Sequence, residues 1–394
     1  MLRDGLILLT AILGVCSLPL DGKADGASKD SACPLETGWV PQPNPLDGDQ
    51  TGIFVPASVR GTSIRAYVDT GAPRTMFNLD FAKGAGFKLG EESPMRAIGG
   101  SITVTELGTV DLTLAGSALH LETASATSFS AIGTIPELQS ELVVGRDVLM
   151  RCAIEIDADR NRVRIGTSLL PPAGAIRVPI TYFHSGGDPF VPVRLSPKLD
   201  AFANVDTGSQ LQLTLDEFLW SAMEMQGTRE TSAASVGMGG MVIERLAFLP
   251  QMSIGAMWLD DVETRFSDHQ LFPKSGTIGL SLLARFNSII DLPGAALWLS
   301  PRQTPVTPTI KSTSGLQVEP HDHSLRILHV MLNSPAAAIG LTERDGICRI
   351  DGQSIPDDYW GSPIRLWSRD KPGRVVTLTL CDGREKRLTL QEFY

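Results

Sequence analysis

The sequence is poor in the features that mark several large classes of protein. Only 6% of its 394 residues are aromatic, and 34 Lys and Arg face 44 Asp and Glu, giving a formal net charge of −10. Binding to nucleic acid normally needs a basic face, so this balance argues against such a partner. The sequence also lacks a His-Glu-x-x-His or Gly-x-Ser-x-Gly motif. The common zinc and serine hydrolases are therefore disfavoured.

Long hydrophobic runs are missing as well, with one exception at the N-terminus. The apolar run at residues 6–18 is shorter than the ~20 residues of a membrane span. It is typical of a secretory signal peptide covering residues 1–24, with the small residues Gly22 and Ala24 at the end. We expect a secreted or periplasmic protein. The alternative is a protein tethered to a membrane by an uncleaved N-terminal segment.

Cysteine is scarce, and one of the five cysteines lies in the N-terminal apolar run. The remaining even number fits disulfides in an oxidising compartment, but four buried thiols fit equally well. The sequence does not give the connectivity, although Cys348 and Cys381 share one segment and could pair. The four remaining cysteines are Cys33, Cys152, Cys348 and Cys381.

The order of segments predicts a mostly β protein. Residues 25–50 are polar and Pro-rich and are interpreted as a tether. Short β-forming runs separated by Gly, Asp and Pro then fill residues 51–168 and 176–300. A Pro/Thr-rich linker is predicted at 301–313, ahead of a last segment at 314–394.

An internal repeat relates the two β-rich segments. The run Ala-Tyr-Val-Asp-Thr-Gly-Ala at 66–72 recurs as Ala-Asn-Val-Asp-Thr-Gly-Ser at 203–209. Gly145 follows Asp69 by 76 positions, and Gly279 follows Asp206 by 73. These matching intervals indicate two copies of one unit.

The repeat points to a pair of carboxylates as the candidate reactive centre. Each copy has an apolar strand before an Asp-Thr-Gly triplet, so Asp69 and Asp206 would meet if the copies pack about a two-fold axis. Two adjacent carboxylates share one proton because both cannot ionise at little cost. The ionised member could take a proton from water, and the protonated member could polarise a carbonyl. This chemistry needs no metal or cofactor.

These triplets, with the Val-Val-Gly and Thr-Ile-Gly segments after them, resemble the retropepsin-type aspartic proteases. The resemblance implies two β-barrel lobes related by a pseudo-two-fold axis, a catalytic unit complete within one chain, and a peptide or protein substrate. The catalytic pair would be Asp69 and Asp206. Supporting loop residues would be Thr70, Gly71, Ala72, Thr207, Gly208, Ser209, Gly145 and Gly279. Flap hairpins over the cleft would contain Gly99, Gly100, Gly237, Gly239 and Gly240. The alternative is a catalytically silent protein that binds peptides.

The last segment, 314–394, resembles an α/β PDZ domain of the kind found in bacterial secreted proteases. Its matching runs include Asn-Ser-Pro-Ala-Ala-Ala-Ile-Gly-Leu at 333–341 and Asp-Gly-Ile-Cys-Arg-Ile-Asp-Gly at 345–352. The resemblance implies capture of a C-terminal peptide at a sheet edge. The carboxylate loop would be Gly315, Leu316, Gln317 and Val318. A structural or regulatory role without a ligand is the alternative.

Overall fold

The structure is a computed structural model that describes residues 32–47, 51–131, 139–183, 187–223, 228–268 and 274–394. The predicted signal peptide and the start of the predicted tether lie outside these residues. Within them, no helix is long and apolar enough to cross a bilayer. Strands dominate, which confirms the prediction of a mostly β protein.

The first half of the described chain, residues 33–168, contains ten strands and two short helices among its described residues. They are β1 (Val40–Pro41), β2 (Phe54–Val59), β3 (Thr62–Val68), β4 (Met76–Asn78), α1 (Leu79–Gly84), β5 (Glu92–Ala97), β6 (Gly100–Leu114), β7 (Ser117–Thr127), β8 (Leu142–Val144), α2 (Arg146–Leu149), β9 (Ala153–Asp157) and β10 (Arg162–Gly166).

The second half, residues 176–301, has a matching set of elements. They are β11 (Ile176–Pro179), β12 (Thr181–Phe183), β13 (Asp188–Ser196), β14 (Leu199–Asp206), β15 (Leu213–Asp216), α3 (Glu217–Ala222), β16 (Glu230–Gly237), β17 (Gly240–Ile254), β18 (Met257–Ser267), β19 (Gly276–Gly279), α4 (Leu280–Leu283), β20 (Phe286–Asp291) and β21 (Ala296–Pro301).

The C-terminal module, residues 314–394, forms a sheet of its own. Its elements are β22 (Leu316–His321), β23 (Ser324–Val330), α5 (Pro335–Ala338), β24 (Gly346–Ile350), β25 (Gln353–Ser354), a 3-10 helix (Pro363–Arg369), β26 (Val375–Leu380) and β27 (Glu385–Thr389).

The two halves share one strand order. The sheet of the first half runs β2-β3-β8-β4-β7-β6-β5, and the sheet of the second runs β13-β14-β19-β15-β18-β17-β16 with β12 added beside β13. Even the short helices match, because Asn78 caps α1 and Asp216 caps α3, each at the end of an equivalent strand. The sequence repeat is therefore also a repeat of structure.

A third sheet joins the halves. Its order is β1-β10-β9-β20-β21-β11, and β9 pairs with β20 through registers such as Ile154 with Ile290. One hydrophobic cluster accordingly includes buried residues of both halves, whereas the C-terminal module has a separate cluster. The two halves thus form one folded body with a shared core.

The segment 33–47 corrects the prediction of a tether over 25–50. Strand β1 pairs with β10, Leu35 and Leu46 are fully buried, and Cys33 forms a disulfide with Cys152. Its polar, Pro-rich composition is misleading because two apolar side chains and one disulfide anchor the whole segment. The prediction is wrong for residues 33–47.

The second disulfide joins Cys348 to Cys381 within the C-terminal module. The sequence allowed this pairing but left four free thiols equally open. In the structure all four cysteines after the N-terminal run are bridged.

Candidate active site

Two equivalent strands carry Asp69 and Asp206 to the same place. β3 lies between antiparallel β2 and parallel β8, and its last residues, Ala66 to Val68, are buried. The backbone N–H of Asp69 then donates to Val144 O at 3.0 Å. In the second half β14 pairs in parallel with β19, which sets Asp206 beside Gly279. Each aspartate therefore lies where a buried strand ends.

Backbone N–H groups at each triplet donate hydrogen bonds to the aspartate of the same triplet. Asp69 Oδ1 accepts hydrogen bonds from the N–H groups of Gly71 at 2.7 Å and Ala72 at 3.0 Å. Asp206 Oδ1 accepts from Gly208 at 2.8 Å and from Ser209 at 3.1 Å. Four backbone donors thus fix the orientation of the two carboxyl groups.

The two threonines bind the triplets to each other. The N–H of Thr70 donates to Thr207 Oγ1, and the N–H of Thr207 donates to Thr70 Oγ1, both at 3.0 Å. Thr70 Oγ1 donates to Val205 O at 2.7 Å, and Thr207 Oγ1 donates to Val68 O at 2.9 Å. Both side chains are fully buried. This reciprocal set of bonds joins the halves directly beneath the aspartates.

The carboxyl groups of Asp69 and Asp206 are hydrogen-bonded to each other. The glycines permit this approach: a Cβ added to Gly71 would lie 2.4 Å from Asp206 Oδ1, and one added to Gly208 would lie 2.3 Å from Asp69 Cγ. Both aspartates remain partly accessible to solvent, so a water or substrate can reach them.

Surrounding protein shifts the protonation of the pair. Burial raises the pKa of Asp69, against the lowering effect of its hydrogen bonds and of Arg146. Burial raises the pKa of Asp206 well above its ordinary value of 3.8, and the negative charge of Asp69 raises it further. Such a pair holds one proton between two acids over a range of pH. It can therefore serve as base and acid together.

Gly145 and Gly279 lie behind the two triplets. A Cβ on Gly145 would come within 2.4 Å of the backbone of Arg74, and one on Gly279 within 2.1 Å of Leu211 O. Only glycine lets the strand ends pack this close. Arg146 N donates to Ala72 O at 2.9 Å, and Leu280 N donates to Ser209 O at 2.7 Å, so each segment supports its triplet.

Two hairpins, one from each half, meet at their tips. The first hairpin is β5–β6, with Gly99 and Gly100 at its tip, and the second hairpin is β16–β17, with Gly237, Gly239 and Gly240. Gly239 N donates to Ile98 O at 2.9 Å, so the tips touch. Met238 of the second tip packs against a cluster of the first half that contains Phe54, Tyr67, Ala72, Phe129 and Val143. The structure thus brings all five predicted hairpin glycines together.

Gly315, Leu316, Gln317 and Val318 are not at this site. Leu316 is buried in the core of the C-terminal module, and Gln317 lies on β22, an edge strand. The Gln317 side chain accepts from Ala234 N at 2.6 Å and donates to Ala234 O at 3.1 Å, on β16. The segment therefore contacts the second hairpin.

Sequence reasoning missed two residues beside the aspartates, Tyr67 and Arg146. Tyr67 is buried and its hydroxyl donates to Gly208 O at 3.0 Å. The Arg146 guanidinium, also buried, donates to Thr70 O at 2.9 Å and to Gly71 O at 2.8 Å. The available signal was a break in the repeat, because the second copy has Asn204 and Leu280 at these positions.

The comparison with protein families gives a match in the first half. Residues 55–148 match the aspartyl protease family model. The match spans about a quarter of the chain and includes Asp69, its triplet, the first hairpin and Gly145. Residues 55–148 of the first half are therefore similar to aspartyl proteases. A search of curated proteins finds none that matches the chain.

The aspartyl protease match ends before the second triplet. The likeness of the second half to the matched segment is therefore seen in its structure alone. There the strand order, the backbone grip on the aspartate and the threonine bonds repeat those of the matched segment. Asp206 lies at the end of β14, just as Asp69 lies at the end of β3.

Proposed function

We propose that this protein is an aspartic endopeptidase whose catalytic unit consists of two retropepsin-like lobes in one chain. Asp69 and Asp206 hold one proton and one water between them. The ionised carboxylate takes a proton from the water as it attacks the peptide carbonyl, and the protonated carboxyl donates to the carbonyl oxygen. The resulting tetrahedral intermediate collapses when the leaving amine is protonated by the pair.

One observation carries this proposal: the two aspartates are hydrogen-bonded to each other in two structurally equivalent triplets. A structural Asp-Thr-Gly turn gives no reason for a second copy to face it. Because isolated buried carboxylates are unfavourable, a pair without a shared proton would be difficult to keep in place.

The two hairpins support an endopeptidase that encloses its substrate. As flaps, they would open to admit an extended peptide and close over it, which excludes water from the aspartates. The contact between the glycine-rich tips consists mainly of backbone, with Ile98 and Met238 as the larger side chains that take part. Such a contact can be broken at modest cost.

We propose further that the protein works outside the cytoplasm and that residues 314–394 form a PDZ-like domain. The apolar run at residues 6–18 and two disulfides support an oxidising compartment. The edge position of β22 supports peptide binding by strand addition, since such an edge offers unpaired backbone groups. The substrates would be extracytoplasmic proteins or peptides.

The test is cleavage of a peptide library and of casein by the wild type and by Asp69→Asn and Asp206→Asn. Both variants should lose about 10²- to 10⁴-fold in kcat/KM, because each removes one partner of the acid–base pair. Because the pKa of Asp206 is raised well above 3.8, wild-type activity should persist above that pH. Equal residual cleavage in all three proteins would contradict the proposal. Tight peptide binding by the wild type without any turnover would instead identify a silent peptide-binding protein.

A further inference from the structure

The two triplets hold their aspartates with the same backbone hydrogen bonds, but different side chains contact the two triplets from behind. Asp69 Oδ1 is held by the N–H groups of Gly71 and Ala72. Those N–H groups belong to the same two peptide units as the carbonyls of Thr70 and Gly71. Arg146 donates to both of these carbonyls. A full positive charge therefore polarises both peptide groups that hold Asp69.

The second triplet has a neutral donor at the equivalent place. Gly208 O, whose peptide unit supplies the N–H of Ser209 to Asp206, accepts from the Tyr67 hydroxyl. Burial and the two nearby carboxylates raise the pKa of Tyr67 well above 10, so this hydroxyl stays neutral. The position that matches Arg146 holds Leu280, which is buried and carries no charge.

The ion pair that holds Arg146 in place also occurs at the Asp69 triplet and not at the Asp206 triplet. Its guanidinium forms an ion pair with Asp188, and both side chains are nearly fully buried. Asp188 lies two residues before Phe190, which pairs with Asn204; the corresponding pair in the first half is Phe54 with Tyr67. By this register the match of Asp188 in the first half is Gly52, which has no side chain. The ion pair thus has no equivalent at the other triplet.

We propose that Arg146, held by Asp188, decides which carboxylate is ionised, so that Asp69 is the base for water and Asp206 keeps the proton. This inference rests on the proposed function for its catalytic meaning. Hydrogen bonds in series strengthen one another in a site of low dielectric constant, and a charged donor at the start of the series favours the charged acceptor at its end. Arg146 and Asp188 are therefore positioning residues, and Asp69 and Asp206 are inequivalent despite their symmetry.

The direction of the pKa shifts agrees with this assignment. Burial raises the pKa of both carboxyls, but Asp69 is also under the lowering influence of Arg146, and Asp206 is raised further. The groups facing the pair from neighbouring elements are Tyr67 and Arg146, and Asp188 faces Arg146.

The assignment can be tested on the resting protein with two alkylating probes and peptide mapping by mass spectrometry. An ionised carboxylate opens an epoxide: the carboxylate oxygen bonds to carbon, the ring C–O bond breaks, and the released oxygen takes a proton from water. A neutral carboxyl instead gives its proton to a diazoacetyl compound, which loses N₂ and leaves an ester. In the wild type, the epoxide should modify Asp69 over Asp206 by about tenfold or more, as one pKa unit would give. The diazo probe should favour Asp206.

The variant Arg146→Leu/Asp188→Asn removes the pair without leaving a buried charge and copies Leu280. Its epoxide preference for Asp69 should fall towards equality. Asp188→Asn alone leaves Arg146 uncompensated, and Tyr67→Phe weakens only the Asp206 side. Both should keep or increase the preference, which a merely structural role of the ion pair would not produce.

Preferential epoxide labelling of Asp206, equal labelling of the two in the wild type, or an unchanged preference in the double variant would overturn the proposal. A fall in preference in Asp188→Asn matching that of the double variant would overturn it too. If the double variant does not fold, as judged by circular dichroism, the wild type and Asp188→Asn still decide, since loss of the preference for Asp69 in Asp188→Asn would overturn the proposal. Labelling needs no turnover, so absence of peptide cleavage would count against the proposed function and not against this assignment.

Discussion

The two halves of the molecule have the same structure at the two triplets, where they contact each other, and differ in the side chains behind those triplets. Strand order, helix caps, the backbone grip on each aspartate and the threonine bonds are the same in both. Behind the triplets, Arg146 faces one aspartate and Leu280 stands at the equivalent place. Symmetry therefore builds the pair, and local exceptions to it make the two carboxyls unequal.

A second difference concerns the hairpins. The second hairpin packs against the C-terminal module through Gln317 and through a cluster in which Ala233, Phe248, Met331 and Tyr394 are buried. His329 Nε2 and Ser232 Oγ lie 2.7 Å apart in the same contact. The hydrogen bonds described for the first hairpin include none to this module. The two hairpins are thus expected to differ in mobility.

The largest expected effect is a loss of activity, and it tests the close approach of the two triplets that is common to both halves. Gly71→Ala and Gly208→Ala each place a Cβ against the opposite aspartate, at 2.4 Å and 2.3 Å from its carboxyl atoms. A displacement of about 1 Å at reacting groups can cost a hundredfold in rate, so both variants should lose about that much in kcat/KM. Peptide cleavage assays measure it. Full activity in either variant would contradict the close approach seen in the structure.

The next largest effect is a loss of stability, and it tests whether the hydrogen bonds of Thr70 and Thr207 contribute equally to the free energy of unfolding. Thr70→Val and Thr207→Val each leave a buried N–H and a buried C=O unpaired, which should lower the free energy of unfolding by about 2–4 kcal/mol. Urea unfolding should give the same loss for both. Thr105→Val is the matched control, because its buried Oγ1 has no hydrogen-bond partner among the described residues. Clearly unequal losses would show that the symmetry is only geometric.

The sequence predicts the symmetric part well and the exceptions poorly. Asp69 and Asp206 can be chosen because two triplets recur with nearly equal spacing, and spacing is visible in a sequence. Arg146 cannot be paired with Asp188 in the same way, since their contact depends on how the halves pack. The same holds for Gln317 and Ala234, which belong to two different sheets. Cys33 and Cys152 are 119 residues apart, and the composition around Cys33 suggests a tether although the segment is packed.

A smaller effect tests the difference between the hairpins. Gln317→Met removes two hydrogen bonds to the backbone of Ala234, so the Ala234 amide should exchange its hydrogen about tenfold faster. Exchange at β5 in the first hairpin should not change. Gln353→Met, at an exposed glutamine of β25, is the control. Equal acceleration in both hairpins, or in neither, would mean that the module does not hold the second hairpin selectively.

The smallest effect concerns stability, and its sign follows from the raised pKa of Asp206. A folded state that raises the pKa of an acid binds its proton more tightly, so its stability falls as the pH rises from below 3.8 through the folded-state pKa. The amide introduced by Asp206→Asn would stay neutral and could still accept from Gly208 and Ser209. We therefore expect Asp206→Asn to raise the melting temperature by a few degrees near neutral pH, and Asp69→Asn to raise it less, because the pKa of Asp69 is raised less.

The pH dependence separates this linkage from a general gain in packing. Below pH 3.8 the wild-type pair is protonated, so the advantage of Asp206→Asn should disappear there. Glu122→Gln, at a side chain that is 87% exposed, should leave the melting temperature unchanged throughout. A lower melting temperature for Asp206→Asn at neutral pH would mean that the folded protein favours a charged Asp206. The two carboxyls would then have to exchange their roles, with Asp206 as the ionised member and Asp69 as the holder of the proton.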